Sequence, residues 1–175
     1  MSTLELKELS APAGQVIKIA AGKTLDLKSQ GSVTMPTGSV LQVVSVEDPT
    51  QATYNTTSNT DVSGLTASIT PSSASSKILV RITPISYISY GGDNYPITYV
   101  NLLRGSSILK TKESYYYAAR APNGYLEMGT NFNMEMLDSP NTTSLVTYKV
   151  QTRTSSSVNV VWRAGSTITL MEIQG

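Results

Sequence analysis

From Val40 onward, short stretches of alternating apolar and polar residues are separated by turn-forming residues. Alternation at a period of two marks a strand with one apolar face. Val40-Leu-Gln-Val-Val-Ser-Val reads as a strand, and Glu47-Asp-Pro-Thr stops it. Gly64-Leu-Thr-Ala-Ser-Ile-Thr comes next, closed by Pro71-Ser-Ser-Ala-Ser-Ser. Lys77-Ile-Leu-Val-Arg-Ile-Thr has a continuous apolar centre, which predicts a strand buried on both faces. Ile97-Thr-Tyr-Val-Asn-Leu-Leu-Arg and Ser107-Ile-Leu-Lys flank Gly105, the pattern of a hairpin. Asn131-Phe-Asn-Met-Glu-Met-Leu, Leu145-Val-Thr-Tyr-Lys-Val-Gln-Thr-Arg-Thr, Val158-Asn-Val-Val-Trp and Ser166-Thr-Ile-Thr-Leu-Met-Glu-Ile complete the set. About eight strands joined by polar turns predict an all-β sandwich head over residues 40–175. A jelly-roll-like order is expected rather than an immunoglobulin-like one, because the strands are many and there is no Cys-Trp-Cys pattern.

Residues 1–39 read differently. Gly14-Gln-Val-Ile-Lys-Ile, Gly22-Lys-Thr-Leu-Asp-Leu, Gly31-Ser-Val-Thr-Met-Pro and Gly38-Ser-Val-Leu-Gln-Val are variants of one short unit. Each is a glycine followed by a few alternating residues. Strands this short cannot bury their apolar faces against one another in a single chain. Three copies winding about one axis would bury them, giving a trimeric β stem. An ordinary meander folded onto the head is the competing reading. Residues 2–9 carry a weak helical period and equally suit a flexible arm.

Composition narrows the chemistry. Charged residues are 14% of the chain, against roughly 25% in an average globular domain. Ser and Thr supply about a quarter of the residues, so polarity comes mainly from hydroxyls. The net charge is +1 with no basic cluster, which argues against a nucleic-acid partner. No apolar stretch is long enough for a membrane helix, and the first residues lack the pattern of a signal peptide. Synthesis in a cytoplasm is expected.

His and Cys are both absent. That removes Ser-His-Asp triads, Cys-His dyads, thiolate or imidazole metal sites and disulfides. No phosphate- or dinucleotide-binding motif is present, so no cofactor is expected. Paired-carboxylate glycoside hydrolysis needs neither residue, and Glu127, Glu135 and Asp138 lie close enough in sequence to supply a pair. The plainer reading makes them solvated charges on strands and a turn. No enzyme is expected.

Tyrosine is the one conspicuous functional residue, with 10 copies against one Phe and one Trp. Its ring is apolar and its tip polar, which suits half-exposed contacts. Tyr87, Tyr90 and Tyr95 surround a Gly-Gly-Asp-Asn loop, and three consecutive tyrosines precede Arg120. Tyr90, Asp93, Asn94, Tyr95, Tyr115, Tyr117 and Arg120 are therefore candidates for a receptor or glycan surface. Since residues 115–117 must alternate in direction, at least one of these tyrosines is expected in the core or an interface. Trp162 follows an apolar run and is expected to be buried.

Four segments carry a family resemblance. Ser68-Ile-Thr-Pro-Ser-Ser-Ala-Ser-Ser-Lys-Ile-Leu-Val, Val100-Asn-Leu-Leu-Arg-Gly-Ser-Ser-Ile, Thr147-Tyr-Lys-Val-Gln and Ser166-Thr-Ile-Thr-Leu-Met-Glu-Ile resemble a domain common in fibre-like virion proteins of tailed phages of marine and freshwater bacteria. The resemblance covers residues 38–175, and the glycine-punctuated start looks like the stems that precede such domains. It implies a virion structural role, homotrimeric assembly and no catalysis, and it assigns no receptor-binding residue. Fibres of this kind often bear long shafts, so a stem of about forty residues departs from them and fits a capsid decoration or head-fibre subunit better. In that setting Leu4, Leu6, Leu9 and Pro12 are expected to anchor the chain to other virion proteins. A tail adhesin recognising host polysaccharide and a non-viral carbohydrate-binding module are the alternatives.

Overall fold

The structure, a computed structural model, describes residues 21–23, 35–90, 97–115, 126–130, 132–155 and 158–175. The chain divides into two units, Met1–Thr34 and Met35–Gly175, and the second carries all of the architecture that follows. Every regular element among the described residues is a strand: β1 (Val40–Glu47), β2 (Ala52–Tyr54), β3 (Thr60–Ile69), β4 (Lys77–Thr83), β5 (Ser86–Tyr90), β6 (Ile97–Arg104), β7 (Ser107–Tyr115), β8 (Leu126–Thr130), β9 (Met134–Asp138), β10 (Val146–Thr154), β11 (Asn159–Trp162) and β12 (Thr167–Ile173).

These strands form three antiparallel sheets in the orders β1-β12-β4-β9, β2-β11-β5-β8 and β3-β10-β6-β7. The first two are one sheet interrupted by a fold line. Each strand of one continues into the corresponding strand of the other, through β1–β2, β11–β12, β4–β5 and β8–β9. Counting each such pair once leaves eight long strands in two sheets, ordered 1-8-3-6 and 2-7-4-5. That interleaving of two Greek keys is the jelly roll. The fold expected from the sequence is therefore the one observed, and the sheet order supplies the topology.

Local chemistry explains the fold line. Pro84 has no amide hydrogen and stops β4. Gly165, at φ 90°, turns the chain between β11 and β12. Ser166 then stitches the break: its Oγ accepts from the Ile85 amide at 2.9 Å and donates to the Arg163 carbonyl at 2.9 Å. The Asp48 amide donates to the Ser166 carbonyl at 2.8 Å, and the Gly165 amide donates to the Asp48 carbonyl at 2.9 Å.

The core lies between the sheets. Ile78, Val80 and Ile82 of β4 and Ile168 and Leu170 of β12 face Leu65, Val100, Leu102, Tyr148 and Val150 from the opposite sheet. Trp162 is fully buried, as expected, and stacks on Phe132 with ring centres 6.1 Å apart. The β4 expectation needs correction. Only one face of that strand is buried, and Leu79 points outward, half-exposed. A run of Ile-Leu-Val cannot by itself say whether the second face is covered.

Candidate functional site

Strand directions give the sandwich a proximal and a distal end. At the proximal end the chain enters β1, where the Gly38 amide donates to the Gln174 carbonyl at 2.8 Å and the Gln174 amide returns a bond to the Ser39 carbonyl at 2.8 Å. The β3–β4, β6–β7 and β9–β10 connections share this end. At the distal end β5 finishes at Tyr90, β6 begins at Ile97, β7 finishes at Tyr115 and β8 begins at Leu126.

The proximal end is closed by two buried carboxylates. One inner level runs Gln42–Glu172–Ile78–Asp138 across the sheet. Glu172 is fully buried. Its Oε1 accepts from the Ser72 amide at 2.7 Å and hydroxyl at 2.6 Å, and its Oε2 accepts from Gln42 Nε2 at 2.7 Å. Burial alone would raise this carboxyl's pKa; the hydrogen bonds from Ser72 and Gln42 outweigh it and hold the group below its ordinary value. Asp138 accepts from the Tyr148 hydroxyl at 2.6 Å and from Arg104 Nη1 at 2.8 and 2.9 Å. Burial, reinforced by the Asp138 charge, pushes the Tyr148 hydroxyl well above the usual tyrosine range. Both clusters join segments that carry the sequence resemblance: Ser72 with Glu172, and Arg104 with Tyr148.

This bonding bears on the paired-carboxylate chemistry. Asp138 is not a solvated charge; it is nearly sealed and occupied by Arg104 and Tyr148. Glu135, three positions earlier on the same strand, is exposed, and its carboxylate lies 4.0 Å from Arg81. Glu127 is exposed on β8. The nearest two in sequence thus occupy different environments, one internal and one external, on opposite faces of β9, and do not face each other as an acid and a nucleophile must. Among the described residues no group of three or more potential ligands is placed to hold a metal ion.

The distal end is tied together at its base by hydrogen bonds. The Ile97 amide donates to Ser155 Oγ at 2.9 Å, the Ser155 amide donates to the Ile97 carbonyl at 2.8 Å, and Asn55 Nδ2 donates to Asn159 Oδ1 at 3.0 Å. On the adjoining outer face, the Arg153 guanidinium lies 3.6 Å from the centre of the Tyr99 ring. Arg153, Tyr99 and Glu113 sit side by side on β10, β6 and β7. Tyr115 is 59% exposed and donates its hydroxyl to Glu113 Oε2 at 2.7 Å. A ring-stacked guanidinium keeps its donor edge free, so these residues present planar donors, a carboxylate acceptor and an aromatic ring together. Such groups match the hydroxyls and apolar faces of sugars.

Of the sequence candidates, Tyr115 lies in this cluster. Tyr90 closes β5 with its Cα opposite Leu126, on the same end of the sandwich, and only its backbone is described. Asp93, Asn94, Tyr95, Tyr117 and Arg120, and the anchoring set Leu4, Leu6, Leu9 and Pro12, lie outside the described residues. Sequence reasoning missed Tyr99, Glu113 and Arg153. Their available signal was the hairpin about Gly105, which pairs β6 with β7, but a register shift between Leu102 and Leu103 sets Tyr99 opposite Glu113.

No protein-family model matches the chain, and no curated protein sequence matches it either. Solved structures similar to it include infectious bursal disease virus Gt strain, with 10% identity, a TM-score of 0.39 and coverage of 87% of this chain and 38% of that one. The VP2 subviral particle of infectious bursal disease virus gives 13% identity and a TM-score of 0.37, covering 87% of this chain and 38% of that one. Dimeric latent PorU from Porphyromonas gingivalis gives 9% and 0.35, covering 80% of this chain and 14% of that one. This chain thus spans well under half the length of the viral chains it resembles. Likeness at this level assigns no function.

Proposed function

We propose that this chain is a non-enzymatic virion structural protein of a tailed phage, a homotrimeric capsid decoration or head-fibre subunit anchored by its N-terminal residues. The observation that carries this reading is polarity of the head: the chain arrives at one end of a jelly roll, and its tyrosine-bearing strands finish at the other. Anchoring through Leu4, Leu6, Leu9 and Pro12 then leaves the tyrosine end facing outward. Two further points support it. Jelly rolls recur in viral capsid and lectin domains, though fold alone does not set function. The four resembling segments are also those that lock the proximal end through Glu172 and Asp138. Immunolabelling of purified particles of the encoding virus tests the proposal. Label over the head is expected. Label at the tail tip replaces decoration with host attachment, and unlabelled particles end the virion reading.

The Tyr99–Arg153–Glu113–Tyr115 cluster favours a second reading, an adhesin for host surface glycan. Substituting Tyr90, Tyr95 and Arg120 together with Arg153→Ala is expected to lower adsorption at least tenfold while leaving the assembly intact. Unchanged adsorption removes this reading and leaves the structural one standing.

A further inference from the structure

Along the outer face of the β1-β12-β4-β9 sheet, residues sort by level rather than by strand. One level across all four strands is Val43, Met171, Leu79 and Leu137. Val43 is 55% and Leu137 49% exposed, and the two between them are half-buried. The level toward the proximal end carries Val40, 51% exposed, and Ile173 on its β1-β12 half and the exposed Lys77 on β4. The level toward the fold line is polar: Ser45 and Thr169 on one half, Arg81 and Glu135 on the other. The outer face of the opposite sheet is different, with Lys149 and Gln151 both bonded to Asp61 and no comparable apolar level.

We propose that the Val43–Met171–Leu79–Leu137 level is the surface by which copies of this chain pack around a common axis in the head. The inference rests on the homotrimer reading above and names the face that reading requires. Two observations point to a second copy as the occupant. Rotation about an axis parallel to the strands brings each level of one copy against the same level of the next, so apolar meets apolar along its whole width. The same rotation sets Ser45 and Thr169 of one copy against Arg81 and Glu135 of its neighbour, hydroxyls against charges, with no like charges opposed.

Edge-to-edge association through β9 is disfavoured. Lys110 Nζ donates to the Glu135 carbonyl at 2.9 Å and Lys112 Nζ to the Asn133 carbonyl at 3.3 Å, so the β7 lysines cap backbone groups along the β9 edge.

Cysteine cross-linking of the full chain tests the face, and the absence of native Cys makes the result clean. Within one chain Val43 and Leu137 are three strand spacings apart, roughly 14 Å, well past the ~7 Å reach of a disulfide between Cα atoms. A Val43→Cys, Leu137→Cys variant is expected to give covalent species of two and three chains on a non-reducing denaturing gel, reversed by reductant. Replacing Leu137→Cys by Leu145→Cys, a residue 67% exposed but off the face, is expected to give none. Native mass is read in parallel by light scattering. Wild type at three times 18.7 kDa with no cross-link in the variant overturns the face and leaves the trimer reading intact. Equal cross-linking through Leu145→Cys also overturns it. Wild type at the single-chain mass at all concentrations sinks both.

Discussion

Asp138 and Glu172 are nearly sealed from solvent, yet each has donors for both of its oxygens. Buried carboxylates so held become costly when a partner is removed, because the remaining polar groups cannot recover water. Asp138→Ala strands the Tyr148 hydroxyl in the core and leaves Arg104 without its carboxylate partner. With Arg104 about a third open to solvent, the loss is expected near the low end for such pairs, about 3 kcal/mol. A thermal melt should show it as a drop of roughly 6–12 °C. The pH dependence follows from the same groups. Glu172 titrates below its ordinary 4.5 in the folded chain, so the stability it adds is present above about pH 4.5 and is lost as pH falls through the lowered value. Tyr148 behaves oppositely: its contribution is full below about pH 10 and is lost as pH rises beyond it. With no His in the chain, urea midpoints should stay level between about pH 5.5 and 9 and fall on both sides. Glu172→Gln should lower the plateau by about 1–2 kcal/mol and flatten its acid limb.

Gly64 shows why strand β3 could be recognised from its alternation while its path could not. Between Lys149 and Gln151 strand β10 advances two residues and β3 advances five, so β3 loops out around Gly64. Gly64 has φ 80°, and a Cβ there would stand 2.5 Å from Asp48 Oδ1. Asp48 is itself fully buried, its Oδ1 accepting the Thr50 amide and hydroxyl at 2.9 Å each. Gly64→Ala combines backbone strain with that clash and should cost about 2 kcal/mol, measured by urea unfolding. The strands that alternation missed are β2, β5 and β8, all in the small sheet beyond the fold line. With three to five residues each, they are too short to show a period. Their identity comes from pairing with β11 and, for β8, with β5.

For the molecule as a whole, the head's construction predicts independence from the proposed anchor. The core and both polar clusters lie within Met35–Gly175. Deleting residues 2–13 is therefore expected to abolish incorporation into particles while shifting the head's melting temperature by no more than about 2 °C. Incorporation that survives the deletion moves the anchor elsewhere. The sandwich also keeps unlike surfaces apart, with a polar, aromatic patch on one outer face, a proximal end sealed by hydrogen-bonded carboxylates, and an apolar level on the other outer face.

The alternation from Val40 to Ile173 was enough to give an all-β sandwich, most of its long strands and the Gly105 hairpin, because each strand's apolar face follows from its own residues. Missing His and Cys limited the chemistry without any structure. Folding added everything that depends on residues distant in the chain. Leu79 looked doubly buried because Ile-Leu-Val is locally apolar, but which neighbour covers it depends on sheet order. Arg153 meets Tyr99, and Asp138 meets Tyr148 and Arg104, through register and bulges that no local pattern encodes.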